Sequence, residues 1–162
     1  SAERALGCFD EALMHTADIW NFKAMALCRL DRHGEALRCL EMAYGLDEEN
    51  TEIMLGMSRE LLELSRYADC AMTCDDVIEL EPDSAQAWFL KAGALCQMEK
   101  DDEAFQCLER CMELDPVNTG IHLETDWYFD RLRDTERFGT FVRALRGKAM
   151  GGSRPEELGY IR

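Results

Sequence analysis

The chain repeats itself every 34 residues, and no other feature narrows its fold as far. In steps starting at Ala17, Thr51, Ala85 and Thr119, the fourth place reads Trp20, Met54, Trp88 and His122. The eleventh place reads Leu27, Leu61, Leu95 and Phe129, and the fourteenth Leu30, Leu64, Met98 and Leu132. The twentieth reads Ala36, Cys70, Ala104 and Phe138, the twenty-fourth Leu40, Cys74, Leu108 and Val142, and the twenty-seventh Ala43, Val77, Cys111 and Leu145. Within a step, apolar places fall three, four or seven apart, twice over, on either side of a polar break such as Asp31-Arg32-His33-Gly34 or Lys100-Asp101-Asp102. That is the pattern of two amphipathic helices joined by a short turn. Between steps, Pro82 and Pro116 are expected to stop one helix, and the Ser84 or Asn118 that follows to cap the next.

Composition agrees with helices throughout. Leu occurs 20 times and Ala 17 times, against 8 for Val and Ile together, and β-branched residues are the ones that favour strands. Apolar residues make up 47%, enough for a packed core.

The repeat resembles the tetratricopeptide repeat family, which places Trp, Leu-Gly and Tyr on a first helix, then Ala, Phe, Ala and Pro on a second. Trp20, Trp88, Ala36, Ala104, Pro82 and Pro116 carry the resemblance. The Leu-Gly pair is replaced by Lys23-Ala24 and Lys91-Ala92, where Ala still permits close helix approach and the Lys stem is expected along the seam with its charge in water. The resemblance implies an all-α fold, a right-handed α-solenoid of helix-turn-helix repeats. Residues 1–16 are expected to be the second helix of a truncated repeat. Repeats follow at 17–50, 51–84 and 85–118, then a degenerate capping repeat at 119–150 and a tail at 151–162. The partner of the first half-repeat is absent, so an exposed apolar stripe is expected at Ala2, Leu6 and Phe9. The chain opens Ser1-Ala2-Glu3-Arg4, without an initiator Met or a signal-peptide pattern, and is expected to be part of something longer. In the tail, Ser153-Arg154-Pro155-Glu156 has capping-box spacing, and Leu158, Tyr160 and Ile161 would be the apolar residues of a short helical turn.

Charge excludes some partners. With 18 Lys and Arg against 33 Asp and Glu, the net charge is −15, which argues against nucleic acid or an anionic membrane. No apolar run approaches the length of a membrane span. Histidines stand at 15, 33 and 122, without a Ser or Cys near them on one helical face, and no catalytic site is assigned. The Cys70/Cys74 and Cys107/Cys111 pairs have the spacing that puts both sulfurs on one helical face. Most of them replace Ala, Leu or Val of other copies, so they read as small core residues, and no metal or cofactor is expected. The eight cysteines read as reduced thiols, and a cytoplasmic location is expected. Methionines such as Met54, Met57 and Met98 fall on core places.

The resemblance implies that places 2, 5, 9 and 12 of each first helix line an inner groove. Places 5, 9 and 12 read Asn21, Met25, Cys28, then Leu55, Arg59, Leu62, then Phe89, Gly93, Cys96, then Leu123, Trp127, Asp130. This face is more apolar than a solvated one. Phe89, Leu55, Leu123 and Trp127 are not required for the repeat core and are expected to anchor an interface, with Arg59 beside them. The function expected is non-enzymatic binding of an apolar or amphipathic segment of a partner protein or peptide in the concave groove. The competing reading of that face is permanent filling by a terminal helix or a neighbouring subunit. One variant of the family grips a partner's terminal carboxylate with Lys, Asn and Arg; only Asn21 and Arg59 are of that kind here, which disfavours it. The alternative function is an assembly element using exposed repeat ends. Arg131, Arg133, Arg137, Arg143, Arg146 and Lys148 give residues 131–150 an excess of positive charge over an acidic body, which suits head-to-tail self-association.

Overall fold

The computed structural model describes residues 16–151, and those residues form helices and turns without a strand. In chain order they are α1 (Ala17–Cys28), α2 (His33–Leu46), α3 (Thr51–Glu63), α4 (Tyr67–Leu80), α5 (Ala85–Gln97), α6 (Asp101–Leu114), α7 (Pro116–Thr125), a 3₁₀ segment (Trp127–Leu132) and α8 (Glu136–Ala149). The fold is an all-α helical repeat. First helices begin at Ala17, Thr51 and Ala85, second helices begin at His33, Tyr67 and Asp101 and end at Leu46, Leu80 and Leu114, each series in the 34-residue step of the sequence.

A single local device makes the first three hairpins alike. Asp31, Ser65 and Glu99 adopt left-handed backbone, with φ of 54°, 59° and 60°. The next residue reaches back in each case: Arg32 N–H donates to the Leu27 carbonyl at 3.0 Å, Arg66 to Leu61 at 2.8 Å and Lys100 to Leu95 at 2.9 Å. The left-handed residues themselves donate to Cys28, Leu62 and Cys96 at 3.0, 3.1 and 3.1 Å. This pair of bonds satisfies the last carbonyls of the first helix and reverses the chain. Glycine usually fills that position, and a residue with a Cβ costs about 1 kcal/mol there, which the packing of the returning helix must offset. The fourth copy lacks the device, since Arg133 stays right-handed at φ −56°.

The chain divides into two compact units, residues 1–82 and 83–162. In the first, α1 packs on α2, α2 on α3, and α3 on α4. Ala24, Leu27, Ala36, Leu40, Ala43 and Ile53 form the core, with Trp20, Tyr44 and Met57 against it. Asn50 caps α3, its Oδ1 accepting the Ile53 N–H at 3.2 Å. The Lys23 ammonium lies 5.2 Å from the Trp20 ring centroid, and Lys91 repeats the arrangement over Trp88 at 5.8 Å. The charge of each lysine thus rests on its own repeat's tryptophan face.

In the second unit, α5 packs on α6 and α7 on α8. Ser84 caps α5, accepting the Ala87 N–H. The next connection differs from expectation: Asp115 is the cap, accepting the Asn118 N–H at 3.1 Å, and Pro116 opens α7. A proline needs no N–H at the first helical position and its φ suits a helix, so it starts this helix, three residues ahead of the 34-residue step. α7 then stops at Thr125, Asp126 turns extended, and the 3₁₀ segment lies on α5. No helix among the described residues is long and apolar enough to cross a membrane.

Candidate partner-binding site

In the unit of residues 1–82, the first helices α1 and α3 enclose a cavity of about 320 Å³. Four expected groove positions line it: Asn21, Met25, Cys28 and Arg59. Ala24, Leu40 and Gly56 add apolar surface, Arg29 joins Arg59 in the lining, and the carboxylates of Glu52 and Glu60 complete it. Small residues make the room. A Cβ on Gly56 would stand 3.1 Å from Leu40 Cδ2, so glycine here lets α3 approach α2 closely. Met25 is 47% exposed, and Phe22, one turn before it, is 68% exposed. Neither Arg29 nor Arg59 makes an ion pair among the described residues. Two unpaired guanidiniums, a side-chain amide and a soft apolar surface can accept an apolar side chain together with a carboxylate. Arg29 and Phe22 were not legible as site residues, because they fall off the places 5, 9 and 12.

Leu55 and Leu62 do not join this surface. Leu55 is 8% exposed and Leu62 fully buried. Because α3 packs on both α2 and α4, it buries more than one face, and a stripe that would be free on an end helix is core here.

Cys28 and Glu60 of the cavity lining belong to a polar cluster that spacing could not reveal. Glu60, 6% exposed, accepts the Cys28 thiol at 3.0 Å on Oε1 and meets His33 Nδ1 at 2.8 Å on Oε2. One carboxylate thus joins α1, α2 and α3. A buried carboxylate needs such partners, since an unpaired one would cost several kcal/mol. The order of groups decides the chemistry. The carboxylate stands between thiol and imidazole, so no base withdraws the thiol proton. Burial pushes the Cys28 thiol up to about 12, and Glu60's hydrogen bond and charge add to this. Cys28 is therefore a poor nucleophile. Native Cys28 should alkylate with iodoacetamide at pH 8 far more slowly than in the urea-unfolded chain, and Glu60→Gln should speed the native reaction about tenfold by removing the charge, with burial still holding it back. Time-resolved mass spectrometry of the Cys28 peptide checks this; equal rates folded and unfolded would refute it.

In the unit of residues 83–162, the corresponding face is covered by the chain itself. Phe89 packs edge-on against Phe129, with centroids 5.2 Å apart, and against His122 at 6.0 Å. A Cβ on Gly93 would lie 3.1–3.2 Å from Tyr128. Gln97 donates to the Tyr128 carbonyl at 2.8 Å, and Arg131 donates to the Cys96 carbonyl at 2.8 Å. Of the expected anchors here, Leu123 is fully buried in the core and Phe89 half-buried. Trp127 stays 39% exposed, edge-on to Tyr128, and Asp130 is exposed and paired with Arg133 at 2.6 Å. The periodicity implied a continuous helix carrying Leu123, Trp127 and Asp130 on one face. The break at Asp126 ends that phase and sends Leu123 inward. His122, which holds a core place in the repeat register, is exposed.

Cys70, Cys74, Cys107 and Cys111 are buried thiols. The hydrogen bond with Cys74 and burial push Cys70 up, and burial pushes Cys111 up, so both favour the protonated form over the thiolate that binds metal. Among the described residues no group of three or more His, Cys, Asp or Glu is arranged to hold a metal ion. The basic run is largely spent within its own unit: Arg131 pairs with Asp101, Arg137 with Asp102 and Arg146 with Glu124. Ala2, Leu6, Phe9 and His15 and the tail residues Leu158, Tyr160 and Ile161 lie outside the described residues.

A family model described as Tetratricopeptide repeat matches residues 85–118. Among curated proteins, the chain is similar to the Protein STIP1 homolog of Dictyostelium discoideum, 28% identical over 86 residues, which is 53% of this chain and 15% of that protein. It is also similar to the peroxisomal targeting signal receptor of Yarrowia lipolytica, 31% identical over 77 residues, 44% of this chain and 13% of that protein. The chain thus spans no more than 15% of the length of these relatives. Among solved structures, MamA superposes with a TM-score of 0.68 at 14% identity, covering 91% of this chain and 88% of that one. The first TPR of Spaghetti (RPAP3), bound to the HSP90 peptide SRMEEVD, gives 0.63 at 18% identity over 81% and 94%. At these identities the likeness is one of fold.

Proposed function

We propose that this chain, whose residues 85–118 match the tetratricopeptide repeat model and whose helices keep the 34-residue step, is a non-enzymatic protein-interaction module whose unit of residues 1–82 seats an amphipathic segment of a partner protein between α1 and α3. The observation that carries this is the 320 Å³ cavity with Met25 and Leu40 for an apolar side chain and two unpaired guanidiniums, Arg29 and Arg59, for an acidic one. A fold relative holds an acidic peptide, SRMEEVD. Of the Lys, Asn and Arg side chains that grip a terminal carboxylate in one variant of the family, only Asn21 and Arg59 stand at the groove places here, so an internal acidic residue flanked by an apolar one suits the cavity better. The unit of residues 83–162 contributes less, since its own 3₁₀ segment takes the equivalent face.

Selection from a random peptide library on the whole chain, repeated on Met25→Asp/Arg59→Glu, tests the reading. Peptides pairing an apolar with an acidic residue are expected on the first and should bind the second at least about tenfold more weakly, the loss of roughly one charge-assisted contact. Peptides that bind both proteins equally would place recognition elsewhere.

A further inference from the structure

The second helices of the unit of residues 83–162 leave a trough between them. A cavity of about 630 Å³ runs between α6 and α8. Phe105 and Phe141 form its floor, edge-on with centroids 5.9 Å apart, and Met112 lies beside them. Phe105 and Phe141 belong to the core, so the trough is a place where the core comes to the surface. Its walls carry Glu109 and Glu113 from α6 and Glu136 from α8. Glu113 is held by Arg110 at 3.0 Å. Glu109 and Glu136 have no ion-pair partner among the described residues. One cation shows how the place is used: the Arg137 guanidinium stands 4.2 Å from the Phe105 ring centroid while it pairs with Asp102.

An apolar floor between two unpaired carboxylates, on a chain of net charge −15, complements a cation with an apolar neighbour. We propose that this trough is a second binding surface and takes a short basic, amphipathic segment of a partner protein. Its Arg or Lys would sit between Glu109 and Glu136, and the adjacent apolar side chain would sit on Met112 and Phe141. Charge-assisted hydrogen bonds to the carboxylates orient the segment, and the aromatic edges accept its stem. The volume lies within the range of pockets that enclose a ligand group. The chemistry is opposite to that of the α1/α3 cavity, so one chain would carry one acid-accepting and one base-accepting place.

The probe is a short fluorescein-labelled peptide of alternating Leu and Arg, titrated against the whole chain at physiological ionic strength and read by anisotropy. Glu109→Gln/Glu136→Gln should raise Kd about tenfold or more. Ala144→Trp, which fills the trough from an exposed position without changing charge, should do the same. Glu48→Gln/Glu49→Gln, with the same change in charge on a turn of residues 1–82, should leave Kd unchanged, as should Met25→Asp/Arg59→Glu. That last variant separates this proposal from the function proposed above. Circular dichroism melts confirm that each variant folds. Equal weakening by Glu48→Gln/Glu49→Gln would show diffuse attraction to an acidic chain and overturn the proposal. So would full binding by Ala144→Trp, or sedimentation showing that a second copy already covers the trough.

Discussion

Phe129→Ala will cost about 3–5 kcal/mol of folding stability, the range for truncating a fully enclosed phenylalanine. Phe129 is fully buried although it lies in a short 3₁₀ segment, and it stacks edge-on with Phe89 and Tyr128. Its apolar anchorage is slight, a six-residue stretch with Leu132 as its other buried residue, beside the polar contacts of the Tyr128 carbonyl with Gln97 and of Arg131 with Cys96 and Asp101. Since a domain's whole stability is about 5–15 kcal/mol, the loss will be plain in urea titration followed by circular dichroism. The variant also asks what the segment is for. If Phe129 clamps it over α5, the alanine chain should expose the Phe89 face and bind a hydrophobic dye that the parent does not. A loss below about 1 kcal/mol, without dye binding, would show that the segment is held by its polar contacts instead.

The second large effect comes from the opposite side of the same contact. Gly93→Leu should destabilise by about 1–3 kcal/mol, the usual cost of overfilling a packed site, and should release residues 127–132 from α5. A Cβ alone would reach 3.1–3.2 Å from three Tyr128 carbons, so alanine requires Tyr128 to yield by a few tenths of an ångström. That crowding opposes the gain of about 1 kcal/mol from replacing glycine inside a helix, and Gly93→Ala should come out near neutral. Leucine has no such escape. Hydrogen exchange should show faster exchange across 127–132 in the leucine variant, with α6 protection retained. A leucine variant as stable and as protected as the parent would mean that the segment does not press on α5.

Residues that recur at 34-residue intervals announced the fold. Trp20 and Trp88, Ala36 and Ala104, and the polar breaks at 31–34 and 100–102 all report a local rule, and local rules are what a single sequence displays. The left-handed turn was hidden, because Asp31, Ser65 and Glu99 share a conformation and not a side chain. The site was less legible. Whether Leu55 or Leu62 lies in a groove or in a core depends on how many neighbours α3 has, which periodicity along one helix does not encode. Glu60 gave no signal, since it stands among Ser58, Arg59, Leu61 and Leu62 like any surface carboxylate, and its partners Cys28 and His33 come from two other helices. In the last copy the apolar register of the sequence runs on past Asp126, where the backbone has already left the helix, so Trp127 and Leu123 do not share the face that their spacing implies.

The three matched turns also bear on how the chain folds. Each closes through hydrogen bonds between residues five apart or fewer, and each first helix finds its partner within one 34-residue step. Little loop entropy stands between a newly made hairpin and its first packed contacts, and chains with such short-range contacts cross their folding barrier in microseconds to milliseconds. Ribosomes add a residue in roughly a twentieth to a fifth of a second. A helix pair of this chain can therefore close while the next one is still being synthesised, and the apolar surface of Trp20, Leu27 and Ala36 is sheltered before most of the acidic chain that follows it exists.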